Sequence, residues 1–436
     1  MPVHRQPGTI VTDHRLQVPL DHTAPGGEHI EVFVREVVAA DKDADRRPWL
    51  LYLQGGPGNR SPRPLGRDGW LARALDDYRV LLLDQRGTGL STPANRQTLP
   101  ARGDAAAQAE YLSHFRADTI VRDCEFIRRR LLGIDEPWSI LGQSFGGFCA
   151  VTYLSFAPQA LSEVLITGGL PGLRATPEGV YRAAYPRIRR KNAAHYARYP
   201  EDVAAVRDIV RHLRDRPATL PGGGVLTPRA FQALGLMLGS GTGSHTLHYL
   251  IEDAFVTGPA GRLLSDSFLS EVQGHLSFAG GPLYAVLHEA TYGQTSVSAQ
   301  GTRWAAESVR GEFPDFDADA ALDGEGPVLF TGETIHPWMF ESDPALAPLR
   351  ETAELLAQRE QWPDLYDPDR LARNEVPVAA AVYHDDMYVD TADSLATARA
   401  IRGLRTWVTD EYEHDGLRVS GGRVLDRLLR LVRGEL

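Results

Sequence analysis

The sequence predicts an α/β protein: a mostly parallel sheet flanked by helices, interrupted by a large, mainly helical insertion. Three observations predict it. Short continuous apolar runs ("PWLLYLQ", "YRVLLLDQ", "WSILG", "SEVLITGG") each end at a glycine-containing turn. Such runs suit strands covered on both faces. Helical patterns alternate with these runs up to about Leu170 and again after about Asn374, while the stretch between is helix-rich without alternation. Finally, 436 residues exceed what one compact core holds comfortably, so a domain with an insertion, or two domains, is expected.

In chain order, "HRLQVPL" and "HIEVFVREVV" read as an N-terminal pair of strands, followed by the strands "PWLLYLQ" and "YRVLLLDQ". Residues 104–132 read as one helix with Ile120, Cys124, Ile127 and Leu131 on one side. The strand "WSILG", a helical "GGFCAVTYLSFA" and the strand "SEVLITGG" close the first half. The insertion is clearest in "YRAAYPRIRRKNAAHYARYPEDVAAVRDIVRHLRD". Alternation returns with "VPVAAAVYHDD", a helix over 391–402, the strand "RTWVTD" and a last helix "VLDRLLRLVRG". The expected division is 1–170 for the first part of the core, 171–374 for the helical cap and 375–436 for the second part of the core.

The 57 acidic against 46 basic side chains leave a formal charge of −11, which gives no support to nucleic-acid binding. Two cysteines, Cys124 and Cys149, are too few for a disulfide framework, and no Cys/His spacing suggests a structural zinc site. The amino terminus lacks the apolar core of a signal peptide, and no later run approaches the roughly 18 apolar residues of a membrane span. A cytoplasmic protein is expected.

"LGQSFGGF" sets Ser144 between glycines where a strand passes to a helix, the context of a nucleophile on a strained turn. In a chain with 42 glycines the motif alone is weak. A serine nucleophile also needs a base and an orienting acid, which in this layout arrive later, acid before base. "YHDDMYV" places Asp385 and Asp386 in the turn after one returning strand, and "EYEHDGL" places His414 after the next. Asp386 is favoured over Asp385. The glycines of "LQGGPG" follow a strand where backbone N–H groups can approach a tetrahedral intermediate, so Gly56 and Phe145 N–H are the expected oxyanion donors. Arg86, in "LDQRGTGLS", is expected to brace loops.

Together, "GGPG", "DQRGTGLS", "GQSFGG", "YHDDMYV" and "EYEHDGL" resemble the prolyl iminopeptidases of the α/β-hydrolase fold. "TGGLPG", "HYARYPED", "LHEATYG" and "FTGETIHPWMFE" resemble that family's larger, bacterial branch. The family usually has a histidine before "GGPG", where this chain has Gln54. The resemblance implies a serine exopeptidase that removes N-terminal proline from peptides through an acyl-enzyme, without metal or cofactor. Other readings that share the triad, or only the fold, are a capped esterase or amidase and a non-catalytic binding protein. A free N-terminal proline is a secondary ammonium with an apolar ring, so the cap is expected to supply carboxylate and apolar walls. Glu289 and Glu341 are the expected acids; Trp338, Phe340, Tyr292 and Phe145 are the expected walls.

Other features read as structure. His245 and His248 in "SHTLHYLIE" lack the HExxH spacing and suit cap packing. "GSGTG" lacks the strand and the lysine of a phosphate loop, "RIRRKNAAHYAR" suits a solvated helix face, and Cys149 suits packing beneath the serine turn.

Overall fold

The computed structural model describes residues 2–41, 47–259 and 261–436. Strands β1 (Val3–Gln6), β2 (Thr9–Pro19), β3 (His29–Ala39), β4 (Trp49–Leu53), β5 (Arg79–Leu83), β6 (Trp138–Gln143) and β7 (Leu161–Thr167) belong to the first half. β8 (Ala218–Thr219) and β9 (Val225–Leu226) form one small hairpin of the insertion, and β10 (Phe255–Gly258) and β11 (Gly261–Leu264) another. β12 (Val378–Tyr383) and β13 (Leu404–Thr409) return to the main sheet, whose order is β1-β2-β3-β5-β4-β6-β7-β12-β13. Pairing is antiparallel from β1 to β3 and from β3 to β5, then parallel across the rest. Every residue of β6 and β12 is buried, as their unbroken apolar runs require.

Register brings the chemistry to one edge. Leu53 pairs with Gly142, Gln143 with Thr167, Thr167 with Ala381 and Tyr383 with Thr409. The carboxyl ends of β5, β4, β6, β7, β12 and β13 therefore lie side by side on one edge of the sheet.

The helix expected over 104–132 is two helices. After α1 (Gly69–Asp77), the chain forms α2 (Ala105–Ser113), capped by the Asp104 side chain on Ala107 N–H, and then α3 (Ala117–Leu131). Between them Phe115 and Arg116 are buried, and the Arg116 guanidinium donates to the Gly293 carbonyl at 2.6 Å. A tertiary contact outweighs the continuous helical pattern there. Ile120, Cys124 and Ile127 are buried on one face of α3, as expected.

Helix α4 (Phe145–Phe156) follows β6, and the insertion opens with α5 (Pro177–Arg198) and α6 (Asp202–Asp215). Residues between β7 and β12 pack in two bodies. One core gathers Tyr181, Ile209, Phe231, Leu250, Phe268, Val309 and Phe330. Leu283, Val286, Phe340, Leu356 and Trp362, although from the same insertion, join the core above the sheet with Phe148 and Leu154.

Candidate active site

Ser144 sits between β6 and α4 at φ 55° and ψ −125°. A residue with a side chain there stores about 1–3 kcal/mol of strain, so its surroundings must hold it. They do: Ser144 N–H donates to the Thr167 carbonyl at 3.0 Å, and the Ser144 carbonyl accepts from Gly147 N–H at 2.7 Å. The turn also requires Gly146, where a Cβ would lie 1.9 Å from the Leu53 carbonyl oxygen. Cys149 is wholly buried one turn on, and burial pushes its thiol pKa up.

His414 Nδ1 donates to Asp386 Oδ2 at 2.6 Å, and both residues are buried. Asp386 Oδ1 accepts from Tyr388 N–H at 2.9 Å and Val389 N–H at 3.1 Å, which fixes the carboxylate. Asp385 is exposed and faces His384 instead. With its proton on Nδ1, His414 leaves Nε2 as an acceptor. Burial opposes the imidazolium, but the charge and hydrogen bond of Asp386, with Glu333 adding, hold the His414 pKa above its ordinary 6.5. Among the described residues no hydrogen bond joins Ser144 Oγ to His414; such bonds are often long before substrate binds. The His414 ring lies over Gly168, the residue after the Thr167 that holds Ser144 N–H.

The loop after β4 lies against the serine: a Cβ on Gly55 would come within 2.9 Å of Ser144 Cβ. Gln54 accepts from Tyr52 OH through Oε1 at 2.8 Å, and its carbonyl accepts from Gln85 Nε2 at 3.0 Å. Neither Gly56 N–H nor Phe145 N–H donates to another group among the described residues, which leaves both for a ligand. Arg86 is buried behind this loop, donating to Asp123 at 2.6 and 2.7 Å and to the carbonyls of Pro19, Leu20 and His114.

The expected cap residues divide. Glu341 is exposed and paired with exposed Arg350 at 3.0 Å, so its charge is spent in solvent. Glu289 is buried, but its carboxylate accepts from Ala305 N–H at 3.1 Å and Ala306 N–H at 2.9 Å. It thus satisfies orphan amides at the start of the helix Ala305–Arg310 instead of facing substrate. Burial pushes its pKa up to about 7 against those hydrogen bonds. Phe340 is buried edge-on to Trp304 in the core and forms no wall. Tyr292 is half-buried and meets Phe148, which in turn meets Phe145, the residue after Ser144.

Trp338 lines a cavity of about 250 Å³ with Leu236, Phe278, Tyr284, Ile335 and Glu333. Ser144 and His414 are not in that lining; Glu333 and Leu236 relate it to His414. The Glu333 charge acts on His414, and the Leu236 carbonyl accepts from Tyr388 OH, whose ring stands edge-on to His414 at 4.8 Å. Glu333 accepts a hydrogen bond from Tyr284 OH and is half-buried. Sequence reasoning passed over Glu333 although it stands in the same "FTGETIHPWMFE" as Glu341. The available signal was its place just after a glycine that ends an apolar run, a pattern shared with the loop that follows β4.

His248 Nδ1 donates to Asp202 Oδ1 at 3.0 Å and its ring stacks on Tyr199 at 3.7 Å, so it packs cap helices together. Among the described residues no group of three His, Cys, Asp or Glu side chains is placed to hold a metal ion.

Residues 48–210 match the family model of the alpha/beta hydrolase fold. The chain is 49% identical over 421 residues to a proline iminopeptidase of Aeromonas sobria, covering 96% of each chain. It is 37% identical over 444 residues to a proline iminopeptidase of Aspergillus aculeatus, covering 98% of this chain and 95% of that one. A probable proline iminopeptidase of Streptomyces coelicolor is 35% identical over 125 residues, covering 29% of this chain and 34% of its own.

Proposed function

The chain belongs to the proline iminopeptidase family of the α/β-hydrolase fold, and from that premise we propose how its residues release an N-terminal proline. Ser144 Oγ attacks the prolyl carbonyl carbon while His414 Nε2 takes its proton, and Asp386 holds the imidazole and stabilises the imidazolium. The developing oxyanion accepts from Gly56 and Phe145 N–H. His414 then protonates the leaving amine, the C–N bond breaks, and the shortened peptide departs. Water, deprotonated by His414, attacks the prolyl ester, freeing proline and returning the proton to Ser144.

Glu333, in place of Glu341 and Glu289, binds the substrate's secondary ammonium. It is the cap carboxylate whose charge acts on His414 and which opens to the cavity. Trp338 and Tyr284 line the cavity beside it, and Tyr292 with Phe145 offers apolar surface for the ring. The observation that carries the reading is a buried Asp386–His414 pair next to a strained serine, with a carboxylate on the cap side. In sequence terms the core comprises 1–170 and 375–436, with 171–374 as the cap insertion. We also place the protein in the cytoplasm, since Cys124 and Cys149 are both free thiols. No helix among the described residues is long and apolar enough to cross a membrane.

The test is a panel of free Pro-anilide, Ala-anilide, N-blocked Pro-anilide and a short-chain ester. Free Pro-anilide is expected to be cleaved far faster than its blocked form. Equal cleavage of the two would remove the ammonium site and leave a general esterase or amidase.

A further inference from the structure

The cap grips both loops that carry the acid and the base. Arg187 and Lys191 lie one turn apart on α5, so their side chains leave the same face of the helix. Arg187 Nη1 donates to Asp390 Oδ2, and the two side chains are 14% and 11% exposed. Asp390 closes the loop that begins at Asp386, and its other oxygen caps the helix Thr391–Ala400 on Asp393 N–H at 2.8 Å. Lys191 Nζ donates to both carboxylate oxygens of Glu413, the residue before His414, at 2.5 Å each. Those side chains are 13% and 30% exposed, so solvent screens this pair little on the lysine side.

The backbone of the cap continues the grip. His414 N–H donates to the Gly239 carbonyl at 3.2 Å, and Gly241 N–H donates to Asp415 Oδ1 at 3.2 Å. Tyr388 OH donates to the Leu236 carbonyl while its ring stands against His414. On the core side, the Asp386 and His414 loops leave adjacent parallel strands, β12 and β13, and β13 is the last strand of the sheet. Among the described residues no further strand flanks the His414 loop on its outer side, so its lateral support has to come from elsewhere.

We propose that Arg187 and Lys191 are positioning residues of the reaction: a two-point electrostatic clasp by which the cap sets the distance and angle between Asp386, His414 and Ser144. Substrate contacts are made by other cap residues, so the clasp acts on the chemical step and not on ammonium binding. The cap thereby does two separable things, recognition through Glu333 and alignment of the base through α5. Alignment of this kind is worth a great deal, because a displacement of about 1 Å costs up to about 10²-fold in rate. The proposal rests on reading Asp386 and His414 as acid and base.

The experiment compares Lys191→Met, Glu413→Gln, the exchanged pair Lys191→Glu with Glu413→Lys, Lys191→Arg and His414→Ala on Pro-anilide, with thermal melting alongside. Lys191→Met and Glu413→Gln are each expected to lower kcat about tenfold with KM within about twofold. The exchanged pair and Lys191→Arg are expected to recover most of the rate, since an ion pair in place is what the loop needs. Unchanged kcat in folded Lys191→Met, a loss seen in KM alone, or no recovery in either rescue overturns the clasp, provided His414→Ala is inactive. An active His414→Ala removes the acid and base reading itself, and the clasp with it. Arg187→Met, with Asp390 left to cap its helix, repeats the test on the acid loop, where the same split is expected.

Discussion

Ser144, Asp386 and His414 come from three loops, and each is held by its neighbours: the serine by Thr167, the aspartate by two backbone N–H groups, the histidine by that aspartate. Ser144→Ala and His414→Ala are expected to abolish turnover of Pro-anilide while the melting temperature stays near the parent value. Asp386→Asn is expected to lower kcat by about 10⁴-fold, and Asp385→Asn to leave it within about twofold, because only the former orients the imidazole. The raised His414 pKa has a sign that kinetics can read. The base must be neutral to work, so the acid limb of kcat/KM is expected above pH 6.5. At the ammonium site, Glu333→Gln is expected to cut kcat/KM on Pro-anilide by about 10²-fold, roughly 2.7 kcal/mol, and to spare a short-chain ester. Glu341→Gln is expected to change neither substrate, and a loss there with Glu333→Gln unaffected would return the site to Glu341.

Among the elements, the helix Ala305–Arg310 shows how a buried acid can be structural. Glu289 accepts from two of that helix's first N–H groups and is held neutral over a pH range where an exposed glutamate is charged. Its pKa rises from 4.5 to about 7 through burial, so the folded state binds the extra proton between those values. The stability this contributes is fully present below pH 4.5 and is lost as pH rises through about 7. The whole effect is on the order of 3 kcal/mol. Melting curves at pH 5 and pH 8 are expected to show a larger loss of stability in the parent than in Glu289→Gln, whose amide cannot titrate. An identical pH response in the two proteins would mean that Glu289 is ionised throughout.

For the molecule as a whole, the parallel sheet puts the ends of six strands on one edge, and the insertion packs in two bodies. All the groups assigned to the reaction are side chains and backbone amides of this chain. Exhaustive chelation followed by activity assay is therefore expected to leave the rate unchanged, because serine, histidine and aspartate supply nucleophile, base and orienter. A loss restored by added zinc would overturn this expectation and direct attention to His245 and His248.

The α/β sheet and the order of serine, acid and histidine at the strand ends were legible because both are written locally. A strand buried on both faces is an unbroken apolar run, a serine on a strained turn needs small neighbours, and an acid and a base at successive strand ends stand in successive turns. The choice between Asp385 and Asp386 was a preference in the sequence, and the packing of Asp386 onto His414 separates them. The acids of the cap were not legible. Glu333 and Glu341 share one stretch of chain, and only tertiary packing turns the first toward His414 and leaves the second beside Arg350 in solvent. The same holds for Glu289, whose role depends on a helix start 16 residues along the chain, and for the break before α3, where burial of Phe115 and Arg116 overrides a helical pattern. Local chemistry is encoded in short spacings; what an inserted cap presents to a site depends on contacts between segments far apart in sequence, as the reach of α5 to Asp390 and Glu413 does.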